Sequence, residues 1–305
     1  MTISEKPNDH DAWWDAIDSG LADLPANAHI VRDELRSGEQ FDGYRIEMTS
    51  LDRYVIGAWL SVPKGDGPHP AVLYTPAYMS VVTPAPYEFR TRYVTMSLYT
   101  RGQRGADKPY AAAFPGHLTE GITDPDTYIF RGVVADTIRA WEVLRELPFV
   151  DPERCAMSGN DLALLVDARR PGAKAINVGA SFWYRIQDSA AATGEYPLEE
   201  LNDFARAYPD KWPAAQRTLA YLDPVHLAGR VTSHVLLNRD QESPGANDAW
   251  FEPLVSQFAR TPTFYDQTHE GQTDYDAADA WLAEELGVEP FPRTWQVSDI
   301  GAWTR

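Results

Sequence analysis

Three ionisable residues, Asp161, Asp240 and His269, each follow a short apolar run of the sequence. Asp161 is the centre of Gly159-Asn160-Asp161-Leu162-Ala163, where an apolar run breaks into a helical pattern. Small residues two before and two after the centre are typical of a nucleophile elbow, although most elbows carry serine there. An aspartate with an ordinary pKa near 3.9 is already ionised at neutral pH and needs no base before it attacks. The pattern therefore places a carboxylate where an elbow usually carries its nucleophile.

Short apolar runs that alternate with helical patterns predict the elements that must position these residues. The fold class is α/β, with a mainly parallel, doubly wound sheet and helices on both faces. We expect one domain over residues 1–305, with an N-terminal helix and hairpin at about 9–62 and a helical insertion at about 183–222. Because the carboxyl ends of parallel strands meet at one edge of a sheet, Asp161, Asp240 and His269 are expected to converge there.

Composition and charge exclude several functional classes. The formal charge is −18, from 45 acidic and 27 basic residues, and such a surface repels nucleic acid. No apolar run reaches the roughly 18 residues of a membrane span, and the N-terminus lacks the apolar centre of a signal peptide, so a cytoplasmic location is the default expectation. The single cysteine, Cys155, excludes a disulfide framework. The histidines fit no ligand spacing, so we expect no metal and no cofactor.

Many ordered segments resemble one known family, the acetyl xylan esterase / cephalosporin C deacetylase family. This family corresponds to carbohydrate esterase family 7 and has the α/β-hydrolase fold. The matches run almost from end to end of the chain and include Val62-Pro63-Lys64-Gly65, Arg101-Gly102-Gln103, Pro115-Gly116, Val150-Asp151-Pro152-Glu153-Arg154 and Thr218-Leu219-Ala220-Tyr221-Leu222-Asp223. The resemblance implies a hydrolase of small esters that assembles as a homo-oligomer and acts on a small-molecule substrate.

The resemblance also implies roles for individual residues. The family's catalytic trio is Ser, Asp and His, in that order along the chain. Asp240 matches the acid and His269 the histidine, while Asp161 stands where the family has its nucleophilic serine. The backbone N–H groups of Tyr78 and Leu162 match those that form the oxyanion hole. The departure at the elbow places a carboxylate in a site otherwise arranged for acyl transfer.

A carboxylate at this position favours different chemistry from a serine. Attack by Asp161 on an sp³ carbon that bears a leaving group forms an alkyl ester, whereas attack on an ester carbonyl forms a mixed anhydride. Water activated by His269 then hydrolyses the alkyl ester, and Asp240 orients the histidine. Haloalkane dehalogenases and epoxide hydrolases of this fold work in this way, and this is the main prediction.

Three alternatives stay open. Asp161 acts as a general base in an esterase, lactonase or deacetylase-like hydrolase, or it does so in a lyase or isomerase. In the third alternative the elbow is degenerate and the chain is a binding or scaffold protein. Loop position alone makes four aromatic residues candidates for substrate binding: His117, Trp183, Tyr184 and Tyr110.

Overall fold

Nine strands form one sheet in the computed structural model, which describes residues 4–78, 81–106, 112–240 and 248–292. The strand order is β1-β2-β3-β5-β4-β6-β7-β8-β9. The pairs β1–β2, β2–β3 and β3–β5 are antiparallel, and the remaining five pairs are parallel. The predicted mainly parallel sheet is therefore confirmed. The strands are β1 (His29–Arg32), β2 (Phe41–Thr49), β3 (Val55–Pro63), β4 (His69–Tyr74), β5 (Val94–Tyr99), β6 (Val150–Asn160), β7 (Ala175–Ala180), β8 (His234–Arg239) and β9 (Thr263–Asp266).

Helices connect the strands and supply the inserted segment. The α-helices in the described residues are α1 (His10–Ala22), α2 (Tyr87–Arg90), α3 (Ile129–Glu146), α4 (Leu162–Arg169), α5 (Ile186–Ala191), α6 (Glu199–Ala207), α7 (Trp212–Ala220), α8 (Asp248–Val255) and α9 (Gly271–Leu286). Helices α5, α6 and α7 lie between β7 and β8, where the sequence predicts a helical insertion. None of the described helices has the length and apolar character needed to cross a membrane.

Helices cover both faces of the sheet. In β4, Leu73 belongs to the core that also contains Trp14 of α1 and Trp141 of α3. Val72, the preceding residue, belongs to a second core with Leu282 of α9. Successive side chains of a strand point to opposite faces, so the apolar strands need helices on each side. The helices on the two faces hold in place the parallel strands whose carboxyl ends carry the predicted site.

Candidate functional site

The turn between β6 and α4 has a different geometry from the one that its sequence predicts. Gly159 has φ +142°, and a Cβ there would lie 2.2 Å from Thr75 Oγ1, so this position requires glycine. Asp161 itself has ordinary helical angles, φ −67° and ψ −3°. The sharp change of direction therefore falls at Gly159. As a result, the cleft above the turn is lined by Asn160, and Asp161 is not among the cleft-lining residues that the structure describes.

The Asp161 carboxylate is fully buried and accepts hydrogen bonds from the main chain that follows β7. Its Oδ1 accepts from the N–H groups of Phe182 and Trp183 at 3.0 and 2.9 Å. Its Oδ2 accepts from those of Trp183 and Tyr184 at 2.9 and 2.7 Å. Burial raises the pKa of Asp161 to about 6, and these three N–H groups act against that rise. In this arrangement the carboxylate anchors the loop after β7, and its catalytic role stays a prediction.

The side chain of Asn160 binds the N–H group of Leu162, which the resemblance assigns to an oxyanion hole. Leu162 N donates to Asn160 Oδ1 at 3.0 Å, and Asn160 Nδ2 donates to Pro76 O at 3.0 Å. Asparagine side chains commonly cap the N–H two residues further along the chain. The Leu162 N–H therefore already has an acceptor in this structure, and its role as an oxyanion donor stays a prediction.

Asp240 and His269 lie together beyond the ends of β8 and β9. His269 Nε2 is 3.1 Å from Asp240 Oδ1, and the two side chains are 42% and 41% exposed. His269 has φ +60°, and its N–H donates to Asp274 Oδ2 at 3.1 Å, which stabilises this uncommon backbone conformation. Within the described residues, no hydrogen bond or ion pair joins Asp161 to either residue.

The strand ends bring the histidine segment to the edge that carries the elbow. Gln267, two residues before His269, donates from Nε2 to Gly179 O at 3.2 Å. Gly179 lies against the elbow, since a Cβ on it would be 3.2 Å from Gly159 O. These contacts connect the elbow, the end of β7 and the segment that carries His269. The predicted convergence of the three strand ends is present, although only two of the three side chains meet.

A cleft of about 60 Å³ opens beside the elbow. Tyr78, His117 and Trp183 line it, together with the apolar rings of Phe130 and Phe182. The rings of Phe130 and Trp183 are 4.7 Å apart between centroids, and those of Phe130 and His117 are 5.3 Å apart. Burial lowers the pKa of His117 to about 4, so this histidine is neutral at neutral pH. Of the four predicted substrate contacts, His117 and Trp183 therefore line the cleft, and Tyr78, the predicted oxyanion-hole residue, lines it as well; their contact with a substrate stays a prediction.

The other two predicted substrate contacts differ. Tyr184 is fully buried away from the cleft, where its ring stacks on Phe251 at 5.9 Å and its hydroxyl donates to Trp250 O at 2.7 Å. The Tyr184 ring therefore completes a core between the insertion and α8 and does not line the cleft, and its predicted contact with a substrate stays untested. Tyr110 lies outside the described residues.

The loop after β5 holds one wall of the cleft in place. The guanidinium of Arg101 donates to the buried carboxylate of Asp136 at 2.8 and 3.0 Å. Gln103, in the same loop, donates from Nε2 to Ala77 O at 3.1 Å, next to Tyr78. Ion pairing and hydrogen bonding together satisfy these buried groups, which is the condition for keeping them in a core.

The sequence analysis missed two residues of the site. Asn160 has no predicted role in the sequence analysis, although it lines the cleft. Glu200 stands in a polar helix of the insertion, yet its carboxylate accepts hydrogen bonds from Tyr78 Oη and from Leu118 N at 2.9 Å. Its position among several other acidic residues of the insertion contains no signal that distinguishes it.

Comparisons with known proteins agree with this architecture. The acetyl esterase Axe7A of Xylanibacter ruminicola is 25% identical over an alignment of 272 residues that covers 83% of this chain and 59% of that relative. The acetyl xylan esterase from Paenibacillus sp. R4 superposes with a TM-score of 0.80 at 22% identity, over 93% of this chain and 96% of that one. Acetyl xylan esterase 1 from Thermoanaerobacterium sp. JW/SL YS485 gives 0.79 at 18% identity, over 92% and 95%.

These structural matches show the α/β-hydrolase fold that the resemblance implies. The chain spans about three-fifths of the length of the curated relative, so that relative is the longer protein. The family model described as acetyl xylan esterase (AXE1) matches residues 1–276, which is most of the chain. Because this match covers most of the chain and the fold agrees with it, the chain belongs to the acetyl xylan esterase family.

Proposed function

We propose that this protein is an esterase-type hydrolase of small esters that uses the Asp240–His269 pair to activate water. The observation that carries the proposal is the 3.1 Å contact between His269 Nε2 and Asp240 Oδ1 at the edge of the sheet that carries the elbow. A carboxylate beside an imidazole orients the ring and stabilises its cation. The names of the relatives, which are esterases of acetylated substrates, support the substrate class.

The proposed reaction needs no covalent intermediate. His269 Nδ1 takes a proton from water as the hydroxide oxygen attacks the ester carbonyl, and Asp240 stabilises the imidazolium. The tetrahedral intermediate then expels the alkoxide, which takes the proton from His269, so that one ester and one water give one acid and one alcohol. Among the described residues, neither Asp240 nor His269 lines the cleft of about 60 Å³, so the proposal requires the ester carbonyl to lie at the edge of the cleft, beside His269.

The covalent route through Asp161 is the alternative mechanism. It requires the carboxylate to leave the N–H groups of Phe182, Trp183 and Tyr184 and to turn toward the cleft. Those bonds are to an ionised or partly ionised acceptor and are individually strong. The same rotation is required if Asp161 acts as a general base in ester, lactone, elimination or isomerisation chemistry. Direct attack by water avoids this cost, and this is why we favour it.

A second candidate function is ligand binding without turnover. The observation in its favour is that Leu162 N–H is bonded to Asn160 Oδ1 and is therefore not offered to an oxyanion. Loss of one oxyanion-hole donor typically costs about 10²–10³ in rate. The homo-oligomeric assembly implied by the resemblance stays a prediction under either function.

Hydrolysis of ethyl acetate, which offers the sp³ carbon that the covalent route requires, separates these possibilities when it is run in H₂¹⁸O. Under the proposed function, His269→Gln lowers kcat by about 10²–10⁴, the range for loss of a general base. Asp161→Asn keeps most of kcat in its folded fraction, and ¹⁸O enters acetate without entering the Asp161 side chain over many turnovers. His29→Gln is the matched control, since His29 is exposed on β1.

Each other mechanism gives a different result. Label in the Asp161 carboxylate, with an inactive but folded Asp161→Asn variant, would establish the covalent route and exclude direct attack. A wild-type protein that binds acetate esters but hydrolyses them no faster than His269→Gln would show a binding protein.

A further inference from the structure

Glu200 connects the inserted helices to the cleft. It is the second residue of α6 and is 5% exposed. Its Oε1 accepts a hydrogen bond from Tyr78 Oη, and its Oε2 accepts one from Leu118 N at 2.9 Å. A Cβ on Gly116 would lie 2.2–2.3 Å from the carboxyl atoms, so only glycine permits this approach. One buried carboxylate therefore joins segments from three separate parts of the chain.

Two of these segments form the cleft wall. Tyr78 and His117 both line the cleft, and their ring centroids are 6.1 Å apart. His117 lies between Gly116 and Leu118, the residues that Glu200 contacts. The far side of the same turn is fixed by Tyr128 Oη, which donates to Leu118 O at 2.9 Å. Glu200 is thus the residue through which the inserted segment binds the cleft wall that contains Tyr78 and His117.

The chemistry of Glu200 suits a fixed contact of this kind. Burial raises the pKa of Glu200, and the Tyr78 hydroxyl and the Leu118 N–H act against that rise, as expected for donors to a carboxylate. Both carboxyl oxygens already accept a hydrogen bond. An amide in the same place would offer one acceptor oxygen and no charge, and its NH₂ group would face either the Leu118 N–H, which would lose its acceptor, or the Tyr78 hydroxyl, which would have to accept instead of donate. In either orientation at least one contact to the cleft wall is lost or weakened, so that segment is expected to move.

We propose that Glu200 is a positioning residue that holds Tyr78 and His117 in the geometry required for substrate binding and hydrolysis. The inference deepens the proposed esterase function and rests on it for its kinetic part. It assigns the inserted segment a role in the site, because α6 carries the carboxylate that closes the network. The role is indirect, since Glu200 acts through Tyr78 and the turn of His117.

The test compares Glu200→Gln with Glu199→Gln, its neighbour on the same helix. Glu199 bonds Arg206 and Asn202 within the insertion and contacts neither cleft segment. We expect Glu200→Gln to lower kcat/KM for p-nitrophenyl acetate about tenfold, since small misplacements of contact groups are costly, while Glu199→Gln stays within about twofold of wild type. Amide hydrogen exchange at Leu118 should accelerate only in Glu200→Gln.

Tyr78→Phe shows whether the effect passes through the tyrosine hydroxyl. In its presence, Glu200→Gln should lower kcat/KM by clearly less than in the wild-type background, because one of its two contacts has already gone. If Glu200→Gln does not fold, Glu200→Asp, which keeps the charge on a shorter side chain, is measured in the same way. Where Glu200→Gln does fold, a smaller loss of kcat/KM in Glu200→Asp than in Glu200→Gln supports the requirement for two acceptor oxygens.

Two results would overturn the proposal. One is a folded Glu200→Gln variant with wild-type kcat/KM and wild-type exchange at Leu118. The other is an effect of Glu200→Gln that is unchanged by Tyr78→Phe and is not accompanied by faster exchange at Leu118. Hydrogen exchange does not depend on turnover. A wild-type protein without hydrolysis but with accelerated exchange in Glu200→Gln would therefore refute the esterase function and still support the positioning role.

Discussion

Replacing Asp161 by alanine removes the acceptor of three buried main-chain N–H groups, those of Phe182, Trp183 and Tyr184. Each buried donor left without a partner costs about 1–3 kcal/mol, so the three together cost about 3–9 kcal/mol. The substitution also removes a buried charge. The rise in the pKa of Asp161 from 3.8 to about 6 corresponds to about 3 kcal/mol of unfavourable free energy for the carboxylate at neutral pH. We expect the unpaired N–H groups to dominate and the free energy of unfolding to fall by about 3 kcal/mol at pH 7.

The cost of Asp161→Ala is expected to depend on pH. Because the pKa of Asp161 is raised in the folded state, its contribution to stability is complete below 3.8 and is lost as the pH rises through about 6. Alanine lacks this contribution at every pH. The difference in unfolding free energy between wild type and variant should therefore be about 1 kcal/mol larger at pH 5 than at pH 7.

Urea unfolding followed by circular dichroism at pH 5 and pH 7 measures both effects. Asp66→Ala is the control, because Asp66 is exposed in the loop between β3 and β4 and should change stability by less than about 0.5 kcal/mol. The reasoning is refuted if Asp161→Ala unfolds with the wild-type free energy at both pH values. In that case the carboxylate does not anchor the loop after β7, and a catalytic position for Asp161 becomes the better explanation.

Three further predictions follow from buried groups. Burial lowers to about 4 the pKa values of His10, His117 and His226. The contribution of these neutral histidines to stability is complete above pH 6.5 and is lost as the pH falls toward 4. The melting temperature should therefore drop over that range. His117→Gln should reduce the accompanying loss of unfolding free energy by up to about 3 kcal/mol. Gly102→Ala should destabilise the fold by at least about 1 kcal/mol and shift the NMR signals of His117. The reason is that Gly102 has φ +81° and that the new Cβ would lie 1.8 Å from the His117 ring. An unchanged melting temperature would contradict this prediction. Burial raises the pKa of Cys155 to about 12. The native protein should therefore not react with a disulfide reagent at pH 8, whereas the urea-unfolded chain should react. Rapid reaction of the native thiol would show that Cys155 is accessible.

Periodicity and strand ends were enough to predict most of the fold. The alternation of apolar runs and helical patterns gave the parallel strands β4 to β9, and the same reasoning brought Asp240 and His269 to one edge. Strand β1 was not predicted, because four residues at the edge of a sheet leave too short a pattern to detect. Asp161 was correctly placed at the elbow, although the direction of its side chain was not.

Side-chain direction at the elbow was decided by tertiary structure. The positive φ at Gly159, against Thr75, turns Asn160 toward the cleft and Asp161 toward the main chain after β7. This choice depends on which donors and acceptors neighbouring segments offer, and those segments are far apart in the sequence. Glu200 follows the same logic, since only the folded insertion brings it to Tyr78. The sequence by itself determined which chemical groups reach the edge of the sheet, and packing and hydrogen-bond satisfaction decided which of them face the cleft.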